Sequence, residues 1–339
     1  MGCSYYHFKM NKLIFKLFYL KAASGLFFLA IALLLAGCAS KITGKAVANE
    51  ITKSPEVYFC PADDCGKALE MRISSANFSV YCALYDMDLK GVISSLAKKS
   101  KTADVRLVMD RSNYEGQVKG NVKLDNNERL MHNKFCIIDG RIVVTGSFNP
   151  TSNDNYNNNN NMLVVYSSIL AKNYEDEFDE LWNGEFGKGN RVKNPVLHVN
   201  NIKIENYFCP EDDCAFHVIG LIKNAESSVY FMAFSFTNEE IADALIKKNV
   251  EVRGIFDAQQ SSSKFSQLKR MRDFGVNAKK DAGKYKMHHK VFIIDNKTVA
   301  TGSFNPSLSA DERNDENLLI IHDKRIASAF LKEFDSLWQ

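Results

Sequence analysis

The segment "MHNKFCIIDGRIVVTGSFNP" (residues 131–150) recurs as "MHHKVFIIDNKTVATGSFNP" (residues 287–306), with thirteen of the twenty positions identical. The matches include His, Lys, Asp, Gly, Ser and Asn, which packing alone does not select. Both copies read as β-hairpins, because Asp139-Gly140 between β-prone runs is a strong signal for a tight turn. Closure at Asp139-Gly140-Arg141-Ile142 sets His132 opposite Asn149 and Lys134 opposite Ser147. Closure at Asn296-Lys297 sets His288 opposite Asn305 and Lys290 opposite Ser303. Side chains alternate along a strand, so these four residues share a face at the open end of each hairpin. Asp139 and Asp295 lie at the other end with opposite parity and read as structural.

The hairpins belong to a longer repeat. "VYFCPADDC" (57–65) returns as "NYFCPEDDC" (206–214), and "SANFSVYCALYDM" (75–87) as "NAESSVYFMAFSF" (224–236). "VRLVMD" (105–110) returns as "VRGIFD" (252–257), and "EFDELWN" (177–183) as "EFDSLWQ" (333–339). The repeats are therefore residues 56–184 and 205–339, with a Gly- and Asn-rich linker at 185–204. Strands alternate with amphipathic helices, which predicts an α/β fold: in each repeat a mixed sheet flanked by helices, the two packed as a pseudo-twofold dimer. A chain of 339 residues with 45% hydrophobic and 24% charged residues has material for two such domains. Its net charge of +3 excludes a strongly basic nucleic-acid coat protein.

The chemistry at the open end suits a phosphoryl group. Lys supplies fixed positive charge, and Ser and Asn donate to phosphate oxygens. His attacks phosphorus or moves a proton near neutral pH. In-line displacement puts nucleophile and leaving-group acid on opposite sides of phosphorus, so two histidines from two hairpins divide the roles. This route needs no metal or cofactor, and the sequence places no convincing metal cluster around either histidine.

These residues resemble the two HKD motifs of the phospholipase D superfamily, H-x-K-x4-D-x6-G-S-x-N. They stand as His132, Lys134, Asp139, Gly146, Ser147 and Asn149, and as His288, Lys290, Asp295, Gly302, Ser303 and Asn305. The resemblance covers nearly everything from residue 56 onward. It is nearest the compact branch of bacterial nucleases and mitochondrial cardiolipin hydrolase, whose members carry one motif and dimerise; here the pair is fused. The resemblance implies a phosphohistidine route, with His132 the nucleophile and His288 the acid. Family members often carry a Glu eleven residues after the motif's Asn. Glu316 fills that place in the second repeat and Asn160 in the first, within "NYNNNNN" (155–161), so the two hairpins are not equivalent.

Residues 1–38 read as an export signal, with lysines ahead of "GLFFLAIALLLAG" (25–37). Leu35-Ala36-Gly37-Cys38 resembles a lipobox, making Cys38 a lipidation site; the alternative is an uncleaved signal anchor. Met10 is an alternative start. Residues 39–55 read as a tether. Either reading holds the protein to a membrane outside the cytoplasm, as a monomer with an internal pseudo-dimer. Of eight cysteines, Cys60 with Cys65 and Cys209 with Cys214 form C-x4-C pairs. These read as two local disulfides in preference to one zinc site, because the spacing is unusual for zinc and no histidine is near. Cys82 and Cys136 read as buried thiols.

The substrate is expected to be a phospholipid, since tethering holds the enzyme beside a bilayer. A nucleic-acid phosphodiester is the alternative, and a non-catalytic phosphate-binding surface module the second. Lys264, Lys269, Arg270, Arg272, Lys279, Lys280, Lys284 and Lys286 precede the second motif, as a basic lip for anionic substrates or as a solvated face.

Overall fold

The structure, a computed structural model, describes residues 49–126 and 128–338. The expected export signal, with Cys38, lies outside them. After β1 (Asn49–Glu50), the first repeat runs β2 (Glu56–Cys60), α1 (Cys65–Ser75), β3 (Ser79–Leu84), α2 (Lys90–Lys99), β4 (Asp104–Met109) and β5 (Val122–Leu124). It continues with β6 (Lys134–Ile138), β7 (Ile142–Gly146), α3 (Ser152–Tyr156), β8 (Asn160–Tyr166) and α4 (Ser168–Asn183). After β9 (Val196–Val199), the second runs β10 (Ile202–Cys209), α5 (Cys214–Asn224), β11 (Ser228–Ala233), α6 (Glu239–Ile246), β12 (Glu251–Phe256), α7 (Leu268–Asp273) and β13 (Asn277–Lys280). It ends with β14 (Lys290–Ile294), β15 (Thr298–Gly302), α8 (Leu308–Glu312), β16 (Glu316–His322) and α9 (Lys324–Leu337).

The first sheet has the order β2-β8-β7-β6-β3-β4-β5. The second repeats it as β10-β16-β15-β14-β11-β12-β13 and adds β9 and β1 beside β10. In each, the three strands at one end are parallel and the strands of the repeat beyond them pair antiparallel. Both sheets are mixed and covered on two faces, which is why strands such as β14, "KVFII", are buried at every position.

Three apolar cores form. On the outer faces, Leu69, Ile73, Val92 and Leu96 cover the first sheet, and Val218, Ile222, Ile241 and Leu245 the second. The third core is shared. The stripe Leu170, Tyr174, Phe178 and Leu181 on α4, and Ile326, Phe330 and Phe334 on α9, pack among residues of both sheets. Each closing helix reaches the other repeat: Tyr174 meets Phe208 and Phe330 meets Phe59, both edge-to-face at 5.0 Å. Such pairs add about 0.5–1.5 kcal/mol each beyond burial. The described residues of both repeats lie in one compact unit. Among the described residues no helix is long and apolar enough to cross a membrane.

Three expectations change in detail. The stretches read as tether and linker contribute strand: β1 pairs in parallel with β9, and β9 pairs antiparallel with the start of β10. Alternating Leu197 and Val199 enter the shared core, a period-2 signal hidden among Gly, Asn and Pro. Cys82 and Cys136 are not thiols but a disulfide, since they face each other across β3 and β6 at a Cα separation of 4.1 Å. The equivalent pair in the second repeat is Phe231 with Phe292. Cys60–Cys65 and Cys209–Cys214 are also bonded, each joining a strand end to a helix start.

The third change concerns hairpin register. Arg141 N–H donates to Ile138 O and Lys297 N–H to Ile294 O, so the turns centre on Asp139-Gly140 and Asp295-Asn296. All four residues have φ between 49° and 60°, as a type I′ turn requires. The strands then pair Ile138 with Ile142 and Ile294 with Thr298, leaving Arg141 and Lys297 as extra residues. Relative to the sequence-based pairing, every partner shifts by one. Ser147 and Ser303 therefore do not face Lys134 and Lys290 across the ladder, nor do Asn149 and Asn305 face His132 and His288.

The motif's Asp and Gly explain how this register is held. Asp139 accepts from the backbone N–H of Asn77, Phe78 and Ser79, at 2.8, 2.7 and 2.9 Å. Asp295 accepts from those of Glu226, Ser227 and Ser228. Each carboxylate thus ties its turn to the start of the neighbouring strand, β3 or β11, which pairs antiparallel with the hairpin. Burial works against the charged form, yet these amides hold Asp295 down at about 2. Gly146 and Gly302, at φ 142° and 152°, end their strands, and a Cβ there would stand 2.4 and 2.2 Å from the carbonyl oxygens of Asn161 and Asn317.

Two outcomes follow for stability. Asp295→Asn lowers the melting temperature at pH 7, costing about 1 kcal/mol for amides left poorly paired and partly hydrated. Because the folded pKa is depressed below the unfolded value of about 4, this contribution is present above pH 4 and lost as pH falls towards 2. Thermal melts of wild type and variant across that range should converge at the acid end. Gly302→Ala should cost about 2–3 kcal/mol in chemical denaturation, since the obstructing atom is backbone.

Candidate active site

Each hairpin's first strand begins at its lysine, and the residues just before it cross to the other repeat. His132 N–H donates to Asp315 O and Asp315 N–H to Leu130 O, both at 3.0 Å. In the mirrored place His288 N–H donates to Asn159 O and Asn159 N–H to Lys286 O, both at 2.9 Å. This backbone exchange delivers each histidine to the residue that starts the other repeat's β8 or β16. His132 Nδ1 lies 2.8 Å from both carboxylate oxygens of Glu316. His288 Nδ1 lies 2.8 Å from Asn160 Oδ1. The two positions singled out as unequal in the sequence are therefore the supports of the two histidines, and each supports the histidine of the other repeat.

The surroundings obey the same pseudo-twofold rule. Lys134 Nζ donates to His132 O and Lys290 Nζ to His288 O, both at 2.7 Å. Tyr85 and Phe234, just beyond β3 and β11, pack edge-on against His132 and His288 at 4.8 and 4.7 Å. Each ring also carries the neighbouring lysine at 4.9 Å, a cation–π contact. Behind the histidines, Thr145 donates to Asn317 Oδ1 and Asn317 Nδ2 to Asn133. Thr301 likewise donates to Asn161 Oδ1, and Asn161 Nδ2 pairs with His289 Nδ1. Glu177 takes a hydrogen bond from Asn133, and Glu333 pairs with His289. None of these supporting residues was read from the sequence, although Thr145 and Asn161 recur as Thr301 and Asn317.

Ser147 and Ser303 turn towards the neighbouring strand. Ser147 Oγ donates to Asn160 Oδ1 at 3.1 Å and accepts from Asn161 N–H, while Ser303 Oγ accepts from Asn317 N–H. Both serines are fully buried; the hydroxyl of Ser147 holds Asn160, the support of His288, and that of Ser303 holds Asn317, next to Glu316. Asn149 gives its backbone N–H and Nδ2 to Asp154. Its Oδ1 and that of Asn305 are buried without a hydrogen-bond partner.

His132 and His288 keep only 8% and 7% exposure, and Lys134 and Lys290 2% each. Burial pushes His132 down to about 4, with the Glu316 carboxylate acting against it. It pushes His288 well below its ordinary value, with both lysines and His132 adding to the effect. Lys134 falls to about 8 for the same reason, opposed by Glu316 and Asp154, and Lys290 falls well below its usual range. Both histidines and both lysines therefore act on one another across the repeats, in a single site whose cations are poorly hydrated.

Several cations of the basic run before the second motif have partners of their own. Lys269 pairs with Asp273, Arg270 with Asp243, and Arg272 Nε donates to Ala278 O. Lys279 and Lys284 lie over the rings of Trp338 and Tyr285. Lys286 is felt by His288. Glu177, Glu180 and Glu211 bring carboxylate oxygens within 4.8 Å of one another behind the site. Burial raises Glu211 to about 7 and Glu177 well above its usual value.

Comparison with known proteins agrees with this geometry. The family described as "Cardiolipin synthase, PLD-like domain" matches residues 69–182 and 218–338. A phospholipase D of Rickettsia prowazekii is 33% identical over 144 residues, 42% of this chain and 70% of that protein. Mitochondrial cardiolipin hydrolase of Xenopus laevis is 34% identical over 134 residues, 38% of this chain and 64% of that one. A solved phosphatidylserine synthase of Haemophilus influenzae superposes with a TM-score of 0.63 at 11% identity, covering 83% of this chain and 85% of its own, a likeness of fold across both repeats. Two family matches, each holding one histidine of a jointly built site, make this chain a member of the phospholipase D superfamily with its two domains in tandem.

Proposed function

We propose that this phosphodiesterase hydrolyses phospholipid phosphodiester bonds, with His132 as nucleophile and His288 as general acid and then general base. The observation that carries the reading is the convergence of two histidine–lysine pairs, each imidazole held through Nδ1 by the other repeat. Support at Nδ1 leaves Nε2 of both rings for the reaction. With its pKa near 4, His132 is neutral at physiological pH and keeps its lone pair.

His132 Nε2 attacks phosphorus, and the bond from phosphorus to the departing alcohol oxygen breaks. His288 gives its Nε2 proton to that oxygen. It then removes a proton from water, whose oxygen attacks phosphorus and expels His132. Lys134 and Lys290 neutralise the phosphoryl oxygens throughout, and the anionic diester in turn favours the protonated form of His288. Attack builds positive charge on the nucleophilic ring. The carboxylate of Glu316 suits His132 for that role, and the neutral amide of Asn160 suits His288 for giving a proton away.

The lipid substrate is supported by the Rickettsia and Xenopus relatives, named phospholipase D and cardiolipin hydrolase. It is also supported by the N-terminal segment, which reads as an anchor outside the cytoplasm through a lipid on Cys38 or an uncleaved signal. The internal pseudo-dimer supports a monomer.

Purified full-length protein in detergent should hydrolyse cardiolipin or phosphatidylcholine with EDTA present. His132→Asn and His288→Asn should each lower kcat by about 10⁴-fold or more; activity surviving either change rules out the two-histidine route. Single-stranded DNA cleaved in preference to both lipids replaces lipid with nucleic acid as the substrate, and no turnover on any of the three leaves a phosphate-binding module. The pH profile of kcat/KM gives a separate check. On the acid side, activity should fall below about pH 4 as His132 gains a proton and loses its nucleophilic lone pair.

A further inference from the structure

The two hairpins align without gaps from residues 131–161 and 287–317, which sets Asn160 against Glu316 and Asp154 against Ala310. The elements agree: α3 and α8 span Ser152–Tyr156 and Leu308–Glu312, and β8 and β16 begin at Asn160 and Glu316. Each repeat therefore has one carboxylate across these two positions, at different places. In the second repeat Glu316 stands at the histidine support and an alanine lies on the short helix. In the first, the support is an amide and the place of that alanine is taken by an acid, Asp154.

That acid faces the histidine that lacks one. Asp154 is 4% exposed, and its Oδ2 lies 3.6 Å from His288 Nδ1. This is too long for a hydrogen bond, which Nδ1 makes instead with Asn160 Oδ1 at 2.8 Å. It is short enough for charge to act strongly at a buried site. Asp154 is held in place by donors only: Asn149 N–H and Nδ2 at 2.9 and 2.8 Å on Oδ2, and Asn158 Nδ2 at 2.8 Å on Oδ1. An acceptor-only role suits the ionised form. Its charge also opposes the effect of burial on Lys134 and Lys290, as that of Glu316 does.

We propose that Asp154 is a positioning residue for His288, supplying the negative charge that the first repeat lacks at Asn160. For His132, one residue, Glu316, provides both the hydrogen bond to Nδ1 and the charge. For His288 the two are divided: Asn160 accepts the Nδ1 proton and fixes the tautomer, and Asp154 stabilises the ring when Nε2 is also protonated. No HKD position contains Asp154, and α3 brings it into the site from the segment between Asn149 and Asn160. The inference rests on His288 acting as the acid.

Leaving-group dependence tests it on the full-length protein. A nitrophenolate leaves phosphorus without a proton, whereas the alkoxide of a phospholipid head group needs one. Asp154→Ala should slow hydrolysis of the phospholipid by about tenfold to hundredfold. It should leave the pre-steady-state burst of nitrophenolate from a nitrophenyl diester within about threefold, since that burst requires only His132. Adding Asn160→Glu to Asp154→Ala recreates the arrangement of the second repeat and should restore most of the phospholipid rate. Equal losses on both substrates at an unchanged melting temperature mean that Asp154 merely shapes the pocket, and overturn the proposal. So does a phospholipid rate unaffected by Asp154→Ala. Should the double variant fold without regaining rate, charge is not what Asp154 supplies, and Asp154→Asn, which keeps the shape, should then retain wild-type activity. Loss of the Asp154 effect while His132→Asn and His288→Asn remain inactive refutes this inference alone; active histidine variants refute the function on which it rests.

Discussion

The crossed support of the two histidines is the constraint around which the rest of the molecule is arranged. His132 belongs to the first repeat and is held by Glu316 of the second, while His288 belongs to the second and is held by Asn160 of the first. Neither repeat contains a complete histidine site. Docking of the halves is therefore part of the chemistry, and the shared apolar core of α4 and α9 determines whether a site exists at all. The fused chain removes the concentration dependence that an assembled dimer would have.

Fusion also removes the requirement that the two hairpins match. In a symmetric dimer every substitution occurs on both sides of phosphorus at once. In a tandem chain each side varies alone, and some of the variation here falls beside the histidines. A carboxylate stands opposite an amide at the support, an acid opposite alanine on the short helix, and Tyr85 opposite Phe234 at the ring edge. Attack and protonation call for different imidazoles, one able to carry positive charge and one ready to release a proton. The differences act in that direction.

Burial is what makes these differences count. Both lysines and both histidines are almost completely removed from water, and burial pushes all four towards their neutral forms. In such surroundings a carboxylate 3 to 4 Å away changes protonation far more than it would at the surface. An anionic phosphodiester entering the site supplies counter-charge at its centre.

Much of this was legible in the sequence because the repeat is local and periodic. The duplicated hairpin, the His-x-Lys spacing and the strand–helix alternation identify an α/β tandem with two copies of one motif, and the unequal pair Glu316 and Asn160 is visible by alignment. A tight turn at each hairpin was legible too, but not its register or the one-residue bulges at Arg141 and Lys297, which depend on how the turn aspartates anchor to the strand beside them. Cys82 and Cys136 looked like isolated thiols, since their facing positions arise from pairing of strands 54 residues apart. Above all, the crossing of each histidine to the other repeat, and the arrival of Asp154 beside His288, are decided only when two separately patterned halves bury a common core. Sequence spacing fixes which residues share a strand face; it carries no information about which surfaces of two similar domains meet, and that meeting builds the site.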